Sequence, residues 1–183
     1  IMTCDPRIVP GARPIEAISY REAAELAYFG AKVIHPSTIQ PAVNLGIPVR
    51  VKNTFEPDHP GTIIVPAAAG SGVRAIACKK GITLVSVSSS RMLLAYGFLR
   101  SIFEICEKHQ TSVDLIATSE VSVSVTIDNP AAIDRIARDL SEIRTVGVEA
   151  EKSIVCLVGQ DLWKDTVFLS RVFRGLHEAP VRM

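Results

Sequence analysis

Two short stretches of this sequence each carry a cation, one of them at a position suited to binding an anion. Lys32 lies in the run Ala27-Tyr28-Phe29-Gly30-Ala31-Lys32-Val33-Ile34-His35-Pro36-Ser37-Thr38, which ends one predicted helix and starts another within a few residues. A lysine at such a junction, with Ser37 and Thr38 opening the second helix, could meet a phosphate that also faces unpaired helix N–H groups. The alternative on spacing alone is a solvated surface lysine. Asp5-Pro6-Arg7 is the second stretch, and the residues alone read as a turn, because Asp before Pro favours one.

The elements that must position these cations follow from local rules. Ser19 followed three residues later by Glu22 is a capping-box signature, so a helix starts near Tyr20, with Ala23, Leu26, Ala27 and Phe29 on its buried side. Gly30 is its natural C-terminal stop. A strand-like Ala31 to Ile34 follows, and Pro36 to Leu45 reads as a second helix closed by Gly46. His35 at that helix start reads as a structural hydrogen-bonder. His59, His109 and His177 read as surface residues.

Several function classes are excluded. The net charge is +1 and the charges are interspersed, which gives no electrostatic case for nucleic acid. No apolar run approaches the roughly twenty residues of a membrane span, and no signal peptide opens the chain. Cys4, Cys78, Cys106 and Cys156 are widely spread without CxxC or zinc-type spacing, so reduced cysteines, no metal site and a cytoplasmic location are expected. Gly70-Ser71-Gly72 reads as part of a linker, and no glycine-rich phosphate cradle occurs.

The second half contains an internal repeat. Ile82 to Val87, Phe98 to Phe103 and His109 to Val113 match Ile154 to Val158, Phe168 to Phe173 and His177 to Val181, with an offset of 68 at the histidines. In the first repeat a strand from Ile82, a helix from Gly97 to Lys108, and strands Val113–Ala117 and Val121–Ile127 come in order. A helix after Asp128-Asn129-Pro130 runs to about Ile143, and a strand spans Thr145 to Glu149. This is the β-α-β-β-α-β, ferredoxin-like plan. Phe98, Leu99 and Phe103 are assigned to the core. The second repeat stops inside its second strand, leaving an edge to be covered by more chain or by a neighbour.

Thr3-Cys4-Asp5-Pro6-Arg7, Ser19-Tyr20, the Gly30-to-Thr38 run, Ile47 to Phe55 and Pro60-Gly61-Thr62 together resemble the C-terminal third of an aspartate kinase catalytic domain. The second half, through Ser90-Arg91-Met92-Leu93, Gly97-Phe98-Leu99, Ser112-Val113-Asp114-Leu115 and Thr118-Ser119-Glu120-Val121, resembles ACT domains of the lysine-sensitive type. The resemblance implies an α/β kinase-domain fragment over residues 1–65, a linker at 66–72, a first α+β ferredoxin-like ACT domain at 73–151 and the start of a second at 152–183. It implies ATP contacts from Arg7 and Lys32, with Asp5 in the same turn, while Met2 stands where many members carry tyrosine.

The family's N-terminal lysine and glycine motif and its aspartate-binding residues would precede Ile1, so no catalytic residue is expected here and the fragment alone should be inactive. The effector's amino-acid head would be held around Met92, Gly97, Phe98 and Leu99, with Ser112, Val113, Asp114, Thr118, Ser119, Glu120 and Val121 nearby. Two carboxylates, Asp114 and Glu120, could neutralise a side-chain ammonium, or they are solvated loop residues. Ala95 stands where some lysine-sensitive members carry serine, and Trp163 occupies the equivalent loop of the second repeat, where it would mark a partner interface. The implied parent phosphorylates the β-carboxylate of L-aspartate with MgATP, opening lysine, threonine and methionine synthesis. It is inhibited by an amino acid, lysine ahead of threonine and with methionine also open, and assembles as a homodimer or tetramer. The alternative is a non-catalytic amino-acid-sensing module, for which a kinase-like DPR turn and GAK lysine would have no use.

Overall fold

The computed structural model describes residues 1–30, 34–89, 96–142 and 144–177. Contacts divide the chain into two compact units, one built from Ile1–Lys79 with the residues from Val155 on, the other from Lys80–Ile154.

In the first unit, β1 (Ala17–Ser19), β2 (Val49–Val51) and β3 (Thr62–Val65) form a sheet of order β1-β3-β2. β3 pairs parallel with β1 and antiparallel with β2, so the sheet is mixed. Helix α1 (Tyr20–Tyr28) starts where the capping box predicts: Glu22 N donates to Ser19 Oγ at 3.2 Å, and Ser19 N donates to Glu22 Oε2 at 2.7 Å. Such a cap contributes about 1 kcal/mol. Ala23 and Leu26 on its inner face join Ile15, Ile18, Ile64, Ala75, Ala77 and Val158 in one core. Helix α2 (Pro36–Leu45) closes on Gly46 in the left-handed conformation, as expected, and Tyr20 ties the exit by donating its hydroxyl to Ile47 O. Helix α5 (Thr166–Gly175) buries none of its side chains, and Trp163 before it is 75% exposed.

The second unit follows the order β4, α3, β5, β6, α4, β7, with sheet order β5-β6-β4-β7. With the strands renumbered in that order, this is 4-1-3-2, the split β-α-β plan. β6 (Ser122–Ile127) alternates buried Val123, Val125 and Ile127 with half-buried polar residues, and it pairs antiparallel with β4 and with β5 (Ile116–Thr118). Helices α3 (Phe98–Lys108) and α4 (Ile133–Ser141) supply Phe98, Ile102 and Cys106, and Ile133, Ile136 and Leu140, to the same core. These spacings are helical, so each helix lays one apolar stripe on the sheet.

Several expectations are corrected. β4 runs from Gly72 to Ser88 and β7 from Thr145 to Gln160, each as one long strand where separate short ones were expected at Ile82, Thr145–Glu149 and Ile154–Val158. Gly81 (φ 73°) and Glu151 (φ 56°) let each ladder turn locally without ending it. Leu99 and Phe103 are 42% and 36% exposed, because they lie off the Phe98-Ile102-Cys106 stripe. His109 is no surface residue: its side chain is 12% exposed, and its Nε2 lies 2.9 Å from Asp139 Oδ2, linking the end of α3 to α4.

Candidate functional site

The Asp5-Pro6-Arg7 turn forms as the sequence predicts and is closely knit. Arg7 N donates to Asp5 Oδ1 at 2.9 Å, and the guanidinium grips the same carboxylate through Nε at 3.0 Å and a terminal nitrogen at 2.7 Å. Ile8 N and Val9 N both donate to Asp5 O, closing the turn. Thr3 N donates to Arg13 O, Arg13 N donates back to the Thr3 hydroxyl at 3.0 Å, and Thr3 O accepts from Ile76 N at 2.8 Å, which holds the loop on β4. The Asp5 hydrogen bond, then its charge, push the Arg7 guanidinium above its ordinary pKa. Arg7 is thus a permanent cation with its side chain 87% exposed, oriented by Asp5 and open to an anion on its outer side.

Lys32 lies outside the described residues. At the start of α2, His35 Nδ1 accepts from Ser37 N at 3.3 Å, so one of the helix N–H groups expected to face an anion is already satisfied. His35 is therefore the structural hydrogen-bonder the sequence suggests.

The residues gathered around the expected effector divide between the two ends of one sheet. Gly97 is the N-cap of α3, with φ 82°, and as a glycine it offers the first-turn N–H groups no side-chain cap. Phe98 is buried under the Arg144 guanidinium, 5.1 Å from its ring centroid. At the same end of the sheet, Ser119, Glu120 and Val121 form the turn between β5 and β6. Ser119 N donates to Ser122 O, the two serine hydroxyls lie 2.7 Å apart, and Ser89 N at the end of β4 donates to Val121 O at 3.0 Å. Thr118 pairs with Val123 beside this turn. Asp114 belongs to the other end: its N donates to Thr126 O at 2.9 Å, four residues further along β6, or about 14 Å. Val113 packs on the core there, and Ser112 is exposed. Met92 lies outside the described residues.

Two elements escaped the sequence reading. Glu22 is not only a cap: its buried Oε1 faces Arg74 Nε at 3.6 Å, from a residue on β4 that no local pattern links to it. The Arg144–Phe98 contact also joins residues far apart in the chain. Among the described residues no three His, Cys, Asp or Glu side chains gather in a way that could hold a metal ion, and no helix is long and apolar enough to cross a membrane.

Comparison with known proteins gives the arrangement a context. A model of the amino acid kinase family matches residues 1–53. Aspartokinase 3, chloroplastic, of Arabidopsis thaliana is 40% identical over 96% of this chain, which spans 33% of that protein's length. Aspartokinase III of Escherichia coli superposes over the whole chain at 39% identity, covering 43% of that structure. The TM-score is 0.89 for its R-state complex with aspartate and ADP, and 0.84 for its T-state complex with lysine and aspartate. A domain from Porphyromonas gingivalis, assigned as a C-terminal regulatory domain of aspartate kinase, is 44% identical over 60% of this chain and 74% of its own length, with a TM-score of 0.51. The chain thus spans about a third to two fifths of the full-length relatives. The chain is alike along its whole length to these enzymes, and it belongs to the aspartokinase family.

Proposed function

We propose that this chain is the C-terminal part of an aspartate kinase that transfers the γ-phosphoryl group of MgATP to the β-carboxylate of L-aspartate, the first step toward lysine, threonine and methionine. Residues 1–65 complete the catalytic domain, with Arg7, oriented by Asp5, and Lys32 meeting the nucleotide. Both are cations, the charge that suits the phosphate oxygens of phosphoryl transfer. Residues 66–72 link to a first ACT domain at 73–151, and 152–183 begin a second.

In this reading the ACT region senses an amino acid, lysine ahead of threonine. The observation that carries it is the end of the sheet where Ser89, Ser119–Val121 and the uncapped start of α3 converge. N–H groups at a helix start suit the effector's carboxylate, and Glu120, in the turn between β5 and β6, suits an ammonium. The full effector set includes Asp114, about 14 Å away along β6, further than one amino acid reaches. A site using both ends therefore takes one from each of two chains, which supports a homodimer built through these domains. The likeness to E. coli aspartokinase III in its lysine complex supports lysine as the ligand.

Calorimetric titration of lysine and of threonine into the purified chain, with its mass followed by sedimentation, tests the reading. Saturable lysine binding to a dimer is expected. Saturation by threonine alone changes the effector. Binding of neither removes the sensor from this part of the molecule.

A further inference from the structure

We propose that Arg144 is a specificity-determining residue at the effector end of the second unit's sheet: its guanidinium, laid over the Phe98 ring, supplies the positive charge that makes the start of α3 choose a ligand bearing a carboxylate. The proposal rests on the reading above, in which that end of the sheet holds an amino acid, and names the residue that orients it.

The fold brings Arg144 to this end from a distant place in the sequence. β4 ends and β6 begins there, because Ser88 pairs with Ser122 and Ser89 N donates to Val121 O. α4 follows β6 from its far end, after Ile127, so the chain returns toward the Ser89 end before β7. β7 then sets out beside the last residues of β4: a Cβ on Gly147 would lie 3.9 Å from Ser86 Cβ. Arg144 is the residue just before β7, and its N donates to Leu140 O at 2.9 Å, which ties it to the end of α4.

Phe98 keeps the guanidinium in place. It is the first residue of α3, is 5% exposed, and shares one core with Ile102 and Leu140. Ser101 closes the first turn, its N donating to Gly97 O at 3.1 Å and its hydroxyl to Phe98 O at 2.8 Å. The ring is therefore a fixed shelf. Arg144 Cζ lies 5.1 Å from its centroid, and Arg144 Nε is shut off from water. An aromatic face holds a guanidinium more firmly when part of the cation has left water, and the guanidinium keeps its charge at any pH the protein meets.

The charge acts on whatever occupies the helix start. The ring is one methylene from the α3 backbone, so the guanidinium lies within about 10 Å of the first-turn N–H groups, one Debye length at moderate salt. Those groups carry partial positive charge of the same sign, and Gly97 brings no side chain to offset it. Both features favour an anion at the start of α3, while Glu120 in the β5–β6 turn favours a cation. A zwitterion is thus set in one direction, with its carboxylate toward α3 and Arg144 and an ammonium toward Glu120. An amine without the carboxylate meets Arg144 only as a repulsion.

The test is calorimetric titration of the purified chain with lysine and with lysinamide, which lacks only the carboxylate charge, in wild type, Arg144→Met and Arg144→Lys. Wild type should prefer lysine. In R144M that preference should shrink by about tenfold, the size expected for one charge about 10 Å away at a partly buried site. R144K keeps the charge and should recover most of the preference. A wild type that binds both ligands equally overturns the proposal, and so does an unchanged preference in R144M. Equal weakening of both ligands in R144M also overturns it, because that would mark Arg144 as merely structural, as does a failure of R144K to restore the preference. Should R144M fail to fold, Arg144→Gln, which keeps a polar end without the charge, is read in the same way. If threonine is the ligand instead, threonine and threoninamide form the pair. A wild type that binds no amino acid overturns the sensor reading and this proposal together, whereas lysine binding with an unaltered preference in R144M overturns this proposal alone.

Discussion

Two arginine–carboxylate pairs in the first unit show how differently the same chemistry can serve. Asp5 and Arg7 are two residues apart, and the Arg7 side chain is 87% exposed; the pair shapes a turn and keeps a cation facing solvent. Glu22 and Arg74 are distant in sequence, with side chains 5% and 24% exposed, and join a helix to a strand. In water an ion pair gains little because solvent competes for both charges. Out of water each partner depends on the other, and removing one leaves the second stranded. The exposed pair is thus suited to exchanging partners with a ligand, the buried one to holding two elements together.

The widest separation between the two pairs should appear in Arg74→Met. Loss of the guanidinium leaves the Glu22 carboxylate buried with its Ser19 hydrogen bonds but without its cation, and unfolding free energy should fall by about 3 kcal/mol. Urea denaturation followed by a signal from the first unit checks this. Glu22→Gln in the same background should recover much of the loss by removing the stranded charge. If R74M unfolds at the wild-type midpoint, the pair is no more coupled than Asp5–Arg7 and the contrast disappears.

Gly30→Ala attacks the other end of the same helix. The added methyl meets Cys78 O, and the left-handed backbone is costly for any side chain. A loss of about 2 kcal/mol is expected, with the first unit's transition moving and that of the second staying in place. A shift of both transitions would mean the two units do not unfold separately.

The contrast also marks what sequence could reveal. The Asp5 turn, the Ser19–Glu22 cap and the Gly46 stop are written within a few residues, so local rules recover them. The β-α-β-β-α-β order was equally legible from alternation in Val123, Val125 and Ile127 and from helical spacing in Ile133, Ile136 and Leu140. Burial of a particular side chain is not local. The motif around Phe98 recurs around Phe168, yet α3 buries three residues and α5 none, because β6 and α4 cover the first and nothing among the described residues covers the second in that way. The long strands were misread because local alternation picked out only their pieces around Ile82, Thr145–Glu149 and Ile154–Val158, and each strand passes through one left-handed residue, Gly81 or Glu151. The second role of Glu22 left no trace, since Arg74 reaches it only through the fold. His109 was misplaced for the same reason: its partner, Asp139, comes from another helix.

That third group, in the second unit, lies between the two extremes. Asp139 accepts from Lys108 Nζ at 2.7 Å and approaches His109 Nε2. The Lys108 hydrogen bond, then that of His109, hold the Asp139 carboxyl below its ordinary range, and the Asp139 bond raises Lys108. A lowered carboxyl stabilises the fold fully above the ordinary carboxylate range, about pH 4, and the stabilisation is lost as pH falls through the lowered folded value. For Lys108 the sign reverses: its share is complete below the ordinary lysine range and lost as pH rises through the raised value. Asp139→Asn should therefore lower Tm modestly at pH 7, with the gap to wild type closing toward pH 2. A gap that persists at pH 2 would show that packing, rather than charge, makes the contact matter.

Arg7→Ala should have the smallest effect on stability and the most selective effect on function. The side chain is exposed and its partner Asp5 is a carboxylate that water can solvate equally well, so the urea midpoint should be unchanged. In the full-length enzyme, loss of a charge-assisted contact to phosphate should raise KM for ATP by about tenfold while KM for aspartate stays put. Arg7→Lys should recover only part of this, because a point charge cannot hold Asp5 and a phosphate in one plane as the guanidinium can. Equal KM values for ATP in wild type and R7A would reduce the turn to a structural element, and the two arginine pairs would then differ only in their exposure.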